Sequence, residues 1–147
     1  WYGRVLVERV EGFAKKADWQ RAYDEINDWE RSLTQADYRI VKLFLDISSD
    51  EQLARFRDRY HEPAKRWKLT EDDLRNRARW DDYAEAYEEM LKRTNKPNAR
   101  WHRIRTDSKH KARIQGLTAI ADTLSPGVDL AWPDVSPDVH AFFKDEG

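Results

Sequence analysis

Arg55 and Arg59 stand four residues apart, Lys65, Arg66 and Lys68 follow six to nine positions later, and Arg75 and Arg77 come next. On a helix, residues four apart project from one side, so the first pair can reach a common ligand. Between Arg55 and Arg79 there are nine Lys/Arg against five Asp/Glu, a local charge of +4 in a chain of net charge −1. Cations set apart in this way suit a polyanion, because each can face a phosphate without a neighbouring carboxylate taking its place. Two chemistries fit. In one, the basic segment is a movable flap over a phosphoryl-transfer site, neutralising charge and excluding water. In the other, the same residues with Trp67 and Trp80 form a non-catalytic module that binds single-stranded nucleic acid or another polyanion by charge and stacking. Aromatics at helix-core spacing favour the first. A solvated helical face laced with ordinary salt bridges is the plain alternative, and composition alone favours it; the order of the residues is what weighs against it.

The remaining composition removes other chemistries. The chain contains no cysteine, which excludes disulfides, thiol catalysis and thiolate metal sites. His61, His102, His110 and His140 are scattered and form no His-Glu-x-x-His pair, so no metal ligand is assigned. No Gly-x-Ser-x-Gly elbow presents a nucleophile. Five glycines, at 3, 12, 116, 127 and 147, cannot compose a phosphate-cradling loop. A length of 147 residues suits one domain. Charged residues make up 37%, but seven Trp, six Tyr and five Phe argue against disorder. No apolar run approaches the ~20 residues of a membrane span, and no secretory signal is present. A soluble cytoplasmic protein is expected. The chain opens at Trp1 with apolar periodicity already running, and so reads as a piece of a longer protein.

The elements that position the basic residues follow from spacing. Tyr2, Leu6, Val10 and Phe13 predict a helix over 2–14, on which Arg4 and Glu8 can pair across one turn. A second helix is predicted from Asp18 to Leu33, with Trp19, Ala22, Tyr23, Ile26, Trp29 and Leu33 facing inward. The nearly continuous apolar run from Tyr38 to Ile47 reads as a strand covered on both faces, with Lys42 snorkelling at an edge. Ser49 and Gln52 resemble a capping box, so a helix follows, with Leu53, Phe56 and Tyr60 inward and Pro63 ending it. Lys65-Arg66-Trp67-Lys68 is a short basic turn, and Thr70 with Asp73 starts another helix. The apolar phase shifts near Arg79, which predicts two consecutive helices and a loosely packed segment that can move. Trp101 to Arg105 alternates as a short strand, and Asp107 or Ser108 caps a last helix with Leu117, Ile120, Ala121 and Leu124 inward. Ser125-Pro126-Gly127 stops it, and residues 131–147 are expected to be an irregular tail. Alternating elements of this kind indicate α/β architecture with a parallel sheet and covering helices. Two strands are few for a stable sheet, so further strands are expected upstream.

The order of residues resembles the family-2 polyphosphate kinases. Trp1-Tyr2-Gly3-Arg4-Val5-Leu6-Val7-Glu8-Arg9-Val10-Glu11-Gly12-Phe13 looks like the segment after that family's Asp-Arg-Ser. Glu25 to Glu30 is similar to its next helix. Arg55-Phe56-x-x-Arg59, Pro63-x-Lys65-Arg66-Trp67-Lys68-Leu69-Thr70 and Trp80-Asp81-x-Tyr83 resemble its lid, and Trp101 and Lys109 to Arg113 its closing strand and helix. The match runs to about Leu130. It implies a P-loop kinase-like fold with a helical lid at about 55–93, the N-terminal portion lying outside this chain. It also implies Mg²⁺-dependent, reversible phosphate transfer between inorganic polyphosphate and a nucleotide.

Carried over residue by residue, Arg4, Arg55 and Arg59 act at the reacting centre, and Lys65, Arg66, Lys68, Arg75 and Arg77 bind the phosphate chain. For Arg75 and Arg77, surface pairing with Asp72 or Asp73 is an equal alternative. Trp67 and Trp80 are expected to pack and stiffen the lid. Gly3 with Val5-Leu6-Val7 resembles members acting on nucleoside monophosphates, so AMP is the expected acceptor, with ADP, GMP or GDP open. No nucleic-acid or membrane partner is expected, and a homo-oligomer is. Ala64 departs from the usual larger apolar residue and Arg100 from a usual proline. The Walker A loop with its lysine and the Walker B aspartate are not among these residues. The chain alone is therefore expected to be inactive, the activity belonging to the intact parent.

Overall fold

The computed structural model describes residues 1–145. The chain enters through a 3-10 helix, Tyr2–Val5, and one turn of α-helix, α1 (Val7–Val10), where the sequence predicts a continuous helix over 2–14. The break falls at Leu6, whose ψ of −94° leaves the helical basin. Gly12, at φ +76°, then turns the chain away in a conformation that costs glycine little.

Helix α2 (Lys16–Gln35) is 20 residues long and buries Ala22, Tyr23, Ile26 and Glu30. Lys15 occupies its N-cap position, so Asp18 lies in the first turn, where its charge complements the helix dipole. Trp29, expected inward, is exposed and meets Trp1 edge-on.

Strands β1 (Lys42–Asp46) and β2 (Trp101–Arg105) pair in parallel, with Lys42 opposite Trp101 and Asp46 opposite Arg105. Parallel neighbours need a long crossover. It is built from α3 (Ser49–His61), a 3-10 helix at Pro63–Lys68, α4 (Glu71–Ala78) and α5 (Trp80–Thr94). The cap of α3 is Ser48, one residue earlier than predicted, its hydroxyl accepting from the Glu51 amide. The capping box at α4 is the expected Thr70–Asp73 pair. The helix break expected near Arg79 is present. α4 buries no residue, whereas Tyr83, Ala86, Met90 and Thr94 of α5 are buried in the body. The looseness read from the sequence therefore belongs to α4 and the preceding 3-10 helix.

Helix α6 (Lys109–Leu124), capped by Ser108, crosses the sheet at Gly116, where an added Cβ would stand 3.6 Å from the Ile104 side chain. It leaves Leu45 63% exposed, so β1 is not covered on both faces. Leu117 and Leu124, expected inward, are exposed as well. Where an irregular tail is expected over 131–147, Pro137–Asp145 forms a helix, α7. Residues 146 and 147 lie outside the described residues. Among the described residues no helix is long and apolar enough to cross a membrane.

The main core joins Val5, Ala22, Tyr23, Ile26 and Met90, and a smaller cluster joins Val10, Tyr83 and Ala86. Lys42 does not snorkel. It is 5% exposed, and its ammonium donates to Glu30 Oε2 at 2.8 Å and to the Thr94 carbonyl at 2.7 Å. The ammonium also lies 3.2 Å from the Tyr2 hydroxyl, which itself donates to Glu30. Burial pulls the Lys42 ammonium below its ordinary value, and Glu30 opposes that shift. Removing one partner strands a buried charge. Lys42→Ala is expected to cost about 3–5 kcal/mol in urea unfolding, whereas the paired replacement Glu30→Leu/Lys42→Met should change stability by less than about 2 kcal/mol.

Candidate functional site

The cross-strand pairs on one face of the sheet are Lys42 with Trp101, Phe44 with Arg103, and Asp46 with Arg105. The Lys42 ammonium lies 4.9 Å from the Trp101 ring and the Arg103 guanidinium 5.8 Å from the Phe44 ring. Asp46 accepts from Arg103 Nε at 2.9 Å and from Arg105 Nη1 at 3.2 Å, and Arg103 also bonds Glu88 at 2.6 Å. These carboxylates hold the Arg103 guanidinium above its ordinary value, the bond to Asp46 contributing most. Between this face and α5 lies a cleft of about 450 Å³. Phe44, Trp80, Tyr83 and Tyr87 form its aromatic walls, and Asp46, Asn76, Glu88, Arg103 and Arg105 are among its polar residues. Ligands of open parallel sheets gather beyond the carboxyl ends of the strands, and Asp46, Ile47 and Ser48 line the cleft there. The two strand-end loops are joined because the Ser48 amide donates to Asp107 at 2.8 Å. That bond holds the Asp107 carboxyl below its ordinary range.

None of the eight basic residues singled out from the sequence lines this cleft. Arg4 borders a separate depression with Trp1, Glu8, Ala22, Glu25, Ile26 and Trp29, and bonds Glu8 at 3.2 Å as its spacing allowed. Arg55 pairs with Glu51 at 2.8 Å and also donates to the Thr106 carbonyl, which anchors α3 to the end of β2. Arg75 pairs with Asp72 at 2.9 Å. Arg77 takes no acid. Its Nη1 donates to the Ser49 carbonyl at 2.8 Å and to Gln52 Oε1 at 3.0 Å, tying α4 to the first turn of α3.

Four cations share the junction of α3, which carries Arg59, and the following 3-10 helix, which carries Lys65, Arg66 and Lys68. Arg59 donates to the Lys68 carbonyl at 3.3 Å, and Arg66 Nε to the Tyr60 carbonyl at 2.9 Å. These bonds fold the 3-10 helix back on the last turn of α3. A carbonyl oxygen satisfies a donor without cancelling its charge. Among the described residues no carboxylate lies within 4.0 Å of Arg59, Lys65, Arg66, Lys68 or Arg77, although Arg55, Arg75 and Arg79 of the same segment are paired. Trp67 is 76% exposed, with its indole donating to the Ala64 carbonyl at 3.1 Å and the Lys68 ammonium 5.0 Å from its ring. It does not pack as expected, because the Arg66 bond holds the turn against Tyr60 and leaves the indole outside. Trp80, by contrast, lines the cleft.

Sequence reasoning missed Asp46, Arg103 and Arg105. The signal was present, since alternation over Trp101–Arg105 places Arg103 and Arg105 on one face. They escaped notice because local charge density was the criterion. Among the described residues no group of three or more His, Asp or Glu is placed to hold a metal ion. The side chains here do not form a complete Mg²⁺ site. Arg77 is the chief polar tie of α4 to α3, so Arg77→Ala should speed amide exchange in α4 by about tenfold, the scale of a charged hydrogen bond, while α2 exchange is unchanged.

The family model of Polyphosphate kinase 2 (PPK2) matches residues 1–127. The chain is 50% identical over 129 residues to a polyphosphate:AMP phosphotransferase of Acinetobacter johnsonii, an alignment covering 88% of this chain and 27% of that protein. It is 41% identical over 136 residues to ADP-polyphosphate phosphotransferase 2 of Rhizobium meliloti, covering 92% of this chain and 44% of that one. The crystal structure of polyphosphate kinase 2 from Arthrobacter aurescens superimposes with a TM-score of 0.85 at 37% identity, over 99% of this chain and 52% of the other. The chain thus spans between about a quarter and a half of these relatives. The family match takes in the strand pair, the cleft and the carboxylate-free cations together, and the chain belongs to the polyphosphate kinase 2 family.

Proposed function

We propose that the intact protein moves phosphate between inorganic polyphosphate and a nucleotide, with AMP as the favoured acceptor and ADP as its product. The observation that carries this reading is that Arg59 at the end of α3 and Lys65, Arg66 and Lys68 on the turn after it have no carboxylate within 4.0 Å among the described residues. A transferring phosphoryl group spreads charge over its oxygens, and fixed cations stabilise it without reorganising. In the proposal Lys65, Arg66 and Lys68 hold and orient the phosphate chain, joined by Arg75 and Arg77 from α4. Arg4, Arg55 and Arg59 act nearer the reacting group. The fold of the intact protein is P-loop kinase-like, with the lid in residues 55–93 of a C-terminal part spanning 1–130. A divalent metal such as Mg²⁺ would neutralise further phosphate charge. A cytoplasmic homo-oligomer belongs to the same proposal. AMP is preferred because the Acinetobacter johnsonii relative, 50% identical, carries polyphosphate:AMP phosphotransferase as its name, whereas the ADP-named Rhizobium meliloti relative is 41% identical.

The test is initial-rate assay of the intact protein with polyphosphate, Mg²⁺ and each of AMP, ADP, GMP and GDP. AMP should give the highest kcat/KM. Arg55→Ala, Arg59→Ala and Lys65→Ala should each lower the rate at least ~10²-fold, the scale of losing one transition-state cation. Near-normal turnover in all three defeats the assignment. The exposed indole of Trp67 beside Lys68 favours a second reading, a polyanion-binding module that stacks single-stranded nucleic acid. It requires tight, salt-sensitive RNA binding that polyphosphate does not displace.

A further inference from the structure

Glu11 lies just after α1, and its side chain is only 11% exposed. Its Oε1 accepts from the Tyr83 hydroxyl at 3.0 Å and lies 3.7 Å from Arg79 Nη1, while its Oε2 lies 3.7 Å from Arg75 Nε. One carboxylate thus faces α4, the α4–α5 break and the first turns of α5. The two arginine contacts are longer than hydrogen bonds, and each arginine has a closer acid three residues away in sequence, Asp72 at 2.9 Å from Arg75 and Asp82 at 3.0 Å from Arg79. Glu11 therefore approaches the arginines without saturating them, whereas the neutral Tyr83 hydroxyl is bonded to it at normal length. Burial and Glu11 together push the Tyr83 phenol up to about 12, so the hydroxyl remains a donor at neutral pH.

We propose that Glu11 is a positioning residue, a built-in anion that holds the α4–α5 elbow through Arg75 and Arg79 and is displaced from them when a phosphate chain arrives. The proposal rests on the reading of the α3–α4 segment as a polyphosphate-binding lid. Glu11 makes no contact with substrate in this account. It sets the resting position of α4, which buries no residue of its own, and it competes with phosphate for the same two guanidinium groups. Neutralising it removes the one anion that faces both guanidinium groups, Asp72 and Asp82 each holding only one, and weakens the elbow at once.

The experiment uses the intact protein and inorganic tripolyphosphate, with binding followed by titration calorimetry and turnover by AMP-dependent ADP formation from polyphosphate. Glu11→Gln should tighten tripolyphosphate about three- to tenfold, the scale of one or two partly exposed ion pairs. It should lower the KM for polyphosphate by a similar factor without raising kcat. Amide exchange in α4 should quicken while α2 is unchanged. Glu11→Asp, which keeps the charge but withdraws it by one methylene, should tighten binding less, and it carries the same test if Glu11→Gln does not fold. A merely structural role lowers the melting temperature and leaves affinity unchanged, so unchanged or weakened binding by the folded variants overturns the proposal. Failure of the underlying reading is distinguishable. Wild-type protein that makes no ADP, with variants that still tighten on tripolyphosphate, removes the phosphotransferase reading and keeps the competitor. Wild-type protein that makes ADP, with no tightening, does the reverse.

Discussion

The buried ion pair between Lys42 and Glu30 is the contact on which the arrangement depends. Glu30 lies on α2 and Lys42 on β1, the Tyr2 hydroxyl joins them from the entering segment, and the Thr94 carbonyl joins from the end of α5. Trp101 closes the set from β2, its indole donating to Thr94 Oγ1 at 2.9 Å and its ring facing the ammonium. Five elements thus meet at one charged centre. A buried pair of this kind is seldom a net source of stability compared with apolar residues of equal volume. Its effect is selective, since a shifted register of β1 would leave both charges unmatched. The register in turn aligns Asp46 with Arg105 and builds the cleft at the strand ends.

Away from that centre the chain handles its cations in two ways. Arg9 is enclosed by Glu85, Glu89 and the Trp19 ring, and Arg103 by Asp46 and Glu88. These arginines clamp helices and strands together. In the segment from Arg59 to Lys68 the observed partners are carbonyl oxygens and the rings of Phe56 and Trp67, and the charges of Lys65, Arg66 and Lys68 stay available to solvent. The contrast is local and physical. A net charge near zero for the whole chain therefore says little about what this one surface attracts.

Much of the fold was legible. Alternation over Trp101–Arg105 and the apolar run before Asp46 gave both strands, Thr70 with Asp73 gave a helix start, and the phase shift at Arg79 gave the break. What could not be read depended on distant partners. Lys42 inside an apolar run looks like an edge residue until Glu30, twelve positions earlier, is folded against it. Leu45, Leu117 and Leu124 have core chemistry, but in this chain nothing covers them fully, and no local pattern carries that information. The basic segment was legible as charge but not as geometry. Arg55 and Arg59 share a helix side, yet one reaches back to Thr106 and the other across to Lys68. The cleft residues Asp46, Arg103 and Arg105 come from two strands far apart in sequence. Only the register unites them.

The turn carrying the exposed cations Lys65, Arg66 and Lys68 is held by one of them and by the half-buried Arg59 of α3, through the bonds from Arg59 to Lys68 and from Arg66 to Tyr60. A ligand that draws either guanidinium outward must release a backbone carbonyl to water and loosen the 3-10 helix. Recognition at this surface is therefore coupled to partial melting of the surface itself. Its calorimetric profile should differ from that of a rigid pocket, with enthalpy gained at the new contact offset by the hydrogen bonds given up beneath it.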